Sequence, residues 1–423
     1  MAIAAAPPGM NKSSVPAPAL TARGLLALFG ALHAGLFAYD LAHPDRFLMA
    51  DRAGERMDVI RAFQASPDWA GFVGSHGIPG DWLPHAILYT AGGPFFVIAV
   101  QIALVLLSII WVRDLAERSG LGARGAFAAA VLYGLLPQTL VFPHQLATEA
   151  LFDPLVILSF RLAVGAGSGL ALGVATLVRP ITIAWPLIVA VFSRNRVAYL
   201  AAALAPVLAW MLFVLATTGE FSLGRSGHDL GHNLYERMQR TAAALPASER
   251  PEPRPSGQTS VRLGEYLAFV ASHPVAAGLH SARDFVTLGV KSGVERLALD
   301  YLDAFPQTRQ SLQDSNDGWR ARVEQQGFLH AFAAMAASQP AVILVSGLGA
   351  LLFIAFMGFA VAGAWSGRHN RSLMLMAGFA LYIFLTAQAV DAAQSRHRAP
   401  AEFALAILAV AGWMHFRKQR HGR

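Results

Sequence analysis

Six short stretches of this chain combine residue types that can do chemistry. The first, PDRFLMADRAGERMDVIRAF (44–63), carries Asp45, Asp51, Glu55 and Asp58. Apolar Met49, Ala53, Met57 and Ile60 recur at helical spacing, so an amphipathic helix is expected, with Asp51, Glu55 and Asp58 on one face. That face could accept a proton or contact a substrate. Alternatively it is a solvated polar face with Arg52, Arg56 and Arg61 as partners. The second, SHGIPGDWLPHAILYTAGG (75–93), offers Asp81 and His85 for substrate contact; a plain turn anchored by Trp82 is the other reading.

The third stretch, PHQLATEALFDPLVILSF (143–160), places His144 and Glu149 where two apolar runs meet, and sets Asp153 four residues after Glu149 on the same helix face. A carboxylate at the centre of a membrane helix costs about 2.5–3.5 kcal/mol, so one kept there has a partner or a function. In the fourth, LVRP (177–180), the Arg179 guanidinium could grip a phosphate through two parallel hydrogen bonds, or merely reach for the interface. The fifth, GRSGHDLGHNLYERM (224–238), spaces His228 and His232 four apart. Gly227 and Gly231 argue against a regular zinc-binding helix, so His232 and Asn233 read as sugar or lipid contacts and no metal ligands are assigned. The sixth, AVDAAQSRHRAP (389–400), groups Arg396, His397 and Arg398 into a cationic cluster suited to phosphate.

The elements that must position these residues follow from composition. The chain has 423 residues, 55% hydrophobic and 14% charged, and a mean hydropathy of +0.46. Soluble domains carry roughly 25% charged residues, so a soluble enzyme and a disordered chain are both excluded in favour of a polytopic membrane protein. The absence of cysteine removes disulfides and thiol chemistry. The net charge of +7 lies between apolar runs, where topology rather than nucleic acid accounts for it. No phosphate-binding G-x-x-x-x-G-K-[ST] loop occurs.

Charge-free runs at 94–112, 126–142, 197–218, 340–365 and 372–390 qualify as spans, and 22–41, 148–164 and 401–416 qualify more weakly. The run 168–192 is read as two half-length spans meeting at Arg179-Pro180. The N-terminal segment, 113–124, 193–196, 366–371 and the tail from 414 then share one side and hold 13 Lys/Arg, against three in the short loops opposite. The expected fold is therefore an all-α integral membrane protein of about ten transmembrane segments, with both termini cytoplasmic and two large outer loops at 42–93 and 219–339. Residues 1–19 read as a disordered cytoplasmic lead, 20–218 as a transmembrane module, 340–416 as the C-terminal spans and 417–423 as a basic tail. Within the second loop lie a Pro-rich insert (246–257) and interfacial helices at 265–290. All six stretches then fall on one cavity at the outer face, where arginines could hold a lipid phosphate beside a carboxylate.

The order and character of ADRAGERM, ATEALFDP, GVATLVRP and SRHRAP resemble the GT-C class of membrane glycosyltransferases. Bacterial relatives of protein O-mannosyltransferases and of lipid A aminoarabinose transferases share this layout, and GHNLYERM and FVASHP look like segments of such enzymes. The resemblance covers most of residues 20–415 apart from the Pro-rich insert. It implies a hexosyl- or pentosyltransferase that takes a sugar from a polyprenyl-phosphate donor in the membrane. Transfer would occur with inversion on the outer face of the inner membrane, to a glycan, lipid or protein hydroxyl. On that pattern Asp51 is the base, with Asp45, Glu55 and Asp58 as alternative counterparts; Glu149 orients the sugar or acceptor, and Arg179, Arg396 and Arg398 steady the departing phosphate. A divalent cation, Mg or Mn, is compatible with acids beside a phosphate but is not demanded. The rival readings are a lipid-linked glycan polymerase or ligase, and a secondary transporter with broken helices.

Overall fold

A computed structural model describes residues 21–48, 53–66, 72, 78–224, 226–243, 245–250, 260–294, 297, 327, 330, 333–334, 337, 340–388 and 395–421. Among them every regular element is helical. The chain folds as an all-helical integral membrane protein, with five helical stretches among the described residues long and apolar enough to cross a membrane.

Helix α1 (Ala22–Ala42) begins where the Thr21 hydroxyl accepts from Gly24 N, 3.3 Å, and covers the run expected as the first span. The first loop then forms a short turn, Pro44–Leu48, and α2 (Ala53–Ala65). Ala53, Met57 and Ile60 of α2 are buried while Glu55 and Asp58 are exposed, so the expected amphipathic split is present. The long helix α3 (Leu83–Ala116) kinks at Gly92-Gly93-Pro94. Gly93 has φ +71°, a backbone state costly to any side chain, and Pro94 supplies no amide proton. A turn through Gly120 and Gly122 reverses the chain into α4 (Gly122–Gly134), followed by short α5 (Pro137–Val141) and α6 (Glu149–Arg161).

The run 168–192 is a hairpin: α7 (Ala166–Val178), a turn at Arg179-Pro180, and α8 (Trp185–Ala190). Proline disfavours helix at the residue before it, and Arg179 is extended, φ −145°, ψ 118°. Helix α9 (Arg196–Thr218) is capped by Asn195 and ends at Gly219 with φ +78°. Beyond it lie α10 (Ser226–Ala242), α11 (Leu263–Ser272) and α12 (Pro274–Val290), the last two divided at His273-Pro274 as expected. The final three are α13 (Pro340–Ser366), α14 (Arg371–Ala387) and α15 (Glu402–His421).

Small residues let the helices meet backbone to backbone. A Cβ at Gly173 of α7 would stand 2.2 Å from the Ala203 carbonyl of α9, and one at Gly412 of α15 would stand 2.1 Å from Phe359 O of α13. Trp185, Phe379 and Phe403 join α8, α14 and α15 through rings 5.1–6.0 Å apart. Polar contacts gather at the two ends of this apolar bundle. At one end Arg161 meets Asp114 at 3.1 Å, the Asn370 amide donates to Ser119 O at 2.9 Å, and Arg371 donates to Phe192 O at 2.5 Å. The opposite end holds the first loop, the Arg179 turn, residues 142–149, α10–α12 and the 395–401 turn.

Candidate active site

Glu149 is the first residue of α6, where the partial positive charge of a helix N-terminus favours a carboxylate. Arg179 faces it from the hairpin turn. Its Nη1 donates to Glu149 Oε1 at 2.7 Å, and the guanidinium carbon lies 5.8 Å from the Phe152 ring centre. Both side chains are largely buried, 7% exposed for Glu149 and 19% for Arg179.

The first loop closes over this pair. A Cβ at Gly80 would be 2.5 Å from Leu177 O and Val178 Cα, so only glycine lets the Pro79–Asp81 turn sit against the end of α7. That contact brings Asp81 to Arg56, whose Nε donates to Asp81 Oδ1 at 2.9 Å while Nη1 donates to Leu146 O at 3.3 Å. Leu146 N donates in turn to Phe47 O at 2.9 Å. Arg56 and Arg396 both act electrostatically on Glu149 beside Arg179. Arg179 of the hairpin thus meets Glu149 directly, while Arg56 of the first loop, itself held by Asp81 and Leu146 O, and Arg396 of the 395–401 turn add positive charge around it. Asp153 lies one turn along α6 with Oδ1 buried and without a hydrogen-bond partner among the described residues.

The other expected residues divide. His144 is buried and adjacent in chain to the Leu146 contact, with its imidazole committed on both sides. Nδ1 is 2.5 Å from Asp40 Oδ2, and Nε2 is 2.9 Å from His33 Nδ1. His85 is fully buried, with Nε2 3.0 Å from the Gln101 side-chain amide. Asp58 is exposed and 3.7 Å from Arg61, the solvated-face reading; Asp45 and Glu55 are exposed too. His232 is 3.2 Å from Glu236 along its own helix, and Asn233 is half-buried beside it. His397 is buried at 2% exposure. Asp51, with residues 49–52, lies outside the described residues.

Arg398 departs from the expectation of a phosphate ligand. Its side chain is fully buried, and it donates to Leu288 O at 2.6 Å, to Ser292 O at 3.2 Å, to Lys291 O and to Glu402 Oε1 at 3.2 Å. Its guanidinium carbon lies 3.7 Å from the Phe353 ring centre. These carbonyls lie at and just beyond the end of α12, where the last C=O groups of a helix lack partners, so Arg398 ties α12 to α15. Its neighbour Arg396, half-buried, is the member of the pair that acts on Glu149.

Sequence reasoning did not single out Asp40, His33 or Arg237. Asp40 and His33 are seven apart on one face of an apolar helix, the spacing that could have exposed them. Arg237 donates to Tyr266 Oη at 2.9 Å, Asp284 at 2.9 Å, Ser281 at 2.8 Å and Gln388 O, joining α10 to α11, α12 and α14. No trio of His, Cys, Asp or Glu among the described residues is grouped to hold a metal ion.

No protein-family model and no curated protein matches the chain. Among solved structures, the fold is similar to the crystal structure of ArnT from Cupriavidus metallidurans bound to undecaprenyl phosphate, with TM-score 0.48 and 15% identity. The match covers 95% of this chain and 63% of that one, so the chain spans less than two thirds of the length of ArnT.

Proposed function

We propose that the protein is a membrane glycosyltransferase that moves a sugar from a polyprenyl-phosphate donor to an acceptor hydroxyl on the outer face of the inner membrane, with inversion. The observation that carries this reading is the buried Arg179–Glu149 pair, with Arg56 and Arg396 adding positive charge around it, so that chain segments far apart in sequence build a cationic region at the end of an apolar bundle. A phosphate there keeps its isoprenoid tail among the spans. The acceptor hydroxyl belongs to a glycan, a lipid or a protein.

The acceptor oxygen attacks the anomeric carbon. The bond from that carbon to the phosphate oxygen breaks, and its electron pair leaves with the lipid phosphate. Arg179 and Arg396 meet the charge that grows on the phosphate, which is where electrostatic stabilisation is worth most. The hydroxyl proton passes to Asp51, the base that the resemblance assigns in the first loop. Glu149 holds Arg179 in place and orients the sugar or acceptor.

Two variants test the reading in the purified full chain supplied with lipid-linked sugar. Asp51→Asn is expected to lower turnover at least ~100-fold with the fold retained; near-normal turnover removes Asp51 from the mechanism. Arg179→Gln is expected to weaken binding of polyprenyl phosphate at least about tenfold. If the native chain binds no polyprenyl phosphate, the transferase reading fails.

A further inference from the structure

The end of the bundle away from the candidate site holds a cavity of about 600 Å³, lined by Arg124, Gly125 and Ala128 of α4 and by Val410, Trp413, Met414, Arg417 and Lys418 of α15. This volume is in the range of small-molecule sites. The α15 residues fall at i, i+3, i+4, i+7 and i+8, a single helical face turned toward α4. Along that face the lining changes from apolar to cationic. Val410, Trp413 and Met414 precede Arg417 and Lys418, and the seven steps from Val410 to Arg417 rise about 10 Å along the helix. On α4 Ala128 is exposed, Gly125 is packed by Met414, whose Sδ would stand 2.7 Å from a Cβ there, and Arg124 precedes them.

No carboxylate among the described residues lines the cavity. The acids at this end are engaged elsewhere: Asp114 holds Arg118 at 2.8 Å and Arg161 at 3.1 Å, and Glu117 holds Arg113 at 3.3 Å. Three exposed cations from two helices thus lie beside an apolar groove between α4 and α15.

We propose that this groove binds an anionic phospholipid. Its phosphate sits between Arg124 and the Arg417–Lys418 pair, and one acyl chain lies along Ala128, Val410 and Trp413. Charge complementarity selects the occupant. A zwitterionic lipid would bring its own cation to three fixed ones, and a soluble anion would leave the apolar slot empty. The site is independent of the transferase reading, because it lies at the other end of the spans and shares no residue with it.

Native mass spectrometry of the detergent-purified full chain, mixed with micelles containing phosphatidylglycerol or phosphatidylcholine, tests this. Phosphatidylglycerol is expected to be retained and phosphatidylcholine not. R417Q/K418Q is expected to lose retention at least about tenfold, while R194Q/R196Q, which removes the same charge from the same end away from the groove, leaves it unchanged. Ala128→Phe keeps every charge but fills the slot, and is expected to displace the lipid as well. Equal retention of the two lipids, equal loss in both double variants, or undiminished retention in Ala128→Phe would overturn the proposal. So would a dimer that R417Q/K418Q dissociates, since a second copy would then be the occupant.

Discussion

Arg396 and Arg398 stand two residues apart in the same basic cluster and do different work. Arg398 is fully enclosed by three carbonyls, a carboxylate and a ring, whereas Arg396 is half-buried and acts on Glu149. Lysine has three donors on a flexible stem where arginine has five in a fixed fork. Arg398→Lys is therefore expected to cost about 3 kcal/mol of stability, read as a lowered unfolding temperature in detergent. Arg396→Gln is expected to leave that temperature nearly unchanged, within about 0.5 kcal/mol, while raising the KM for the lipid-linked donor. If both variants destabilise the protein equally, the division of roles between them is mistaken. The sequence shows two arginines in an R-x-R pattern and contains no signal that separates them. The difference is created by α12, more than a hundred residues earlier in the chain.

Among the elements, the α7–α8 hairpin shows how local and distant causes combine. Its turn is legible, because Arg179-Pro180 cannot continue a helix and the charge balance demands a reversal. Its seat is not legible, because that depends on Gly169 and Gly173 lying against carbonyls of Tyr199 and Ala203 on α9. Gly173→Leu is expected to hold α7 away from α9 at a cost of about 1–3 kcal/mol and to lower donor binding by displacing Arg179, measured as a reduced unfolding temperature and a raised KM together. Helices α10 and α12 carry a pH response. Burial is the main cause that lowers the His280 pKa below the usual 6.5, with Asp284 opposing it and Arg237, Arg283 and Arg240 adding to it. The folded state therefore disfavours the protonated ring. The contribution is fully favourable above pH 6.5 and declines as pH falls below that value. Thermal unfolding of the native chain should show this decline below pH 6.5, and His280→Gln should flatten it.

For the whole molecule, the placement of both ends of the bundle is open to a direct measurement, because the chain has no cysteine of its own. Single cysteines at Ser66 and Glu220 are expected to react with a membrane-impermeant maleimide applied from outside intact cells, and those at Asn195 and Arg368 only after permeabilisation. All four sites are exposed, so a reversed or mixed pattern would refute the assumed orientation and put the candidate site on the wrong side.

The sequence by itself determined the membrane class, the all-helical character, the amphipathic α2, the break at His273-Pro274 and the reversal at Arg179. These follow from apolar length, periodicity, proline stereochemistry and the count of basic residues, all of which act within a few residues of one another. Tertiary structure decided which polar groups meet: Arg179 with Glu149, Arg56 with Asp81, His144 between Asp40 and His33, and Arg398 with the end of α12. In an apolar medium every buried charge must find a partner, but the identity of that partner depends on which helices can approach closely. That is set by small residues on surfaces that local pattern does not reveal.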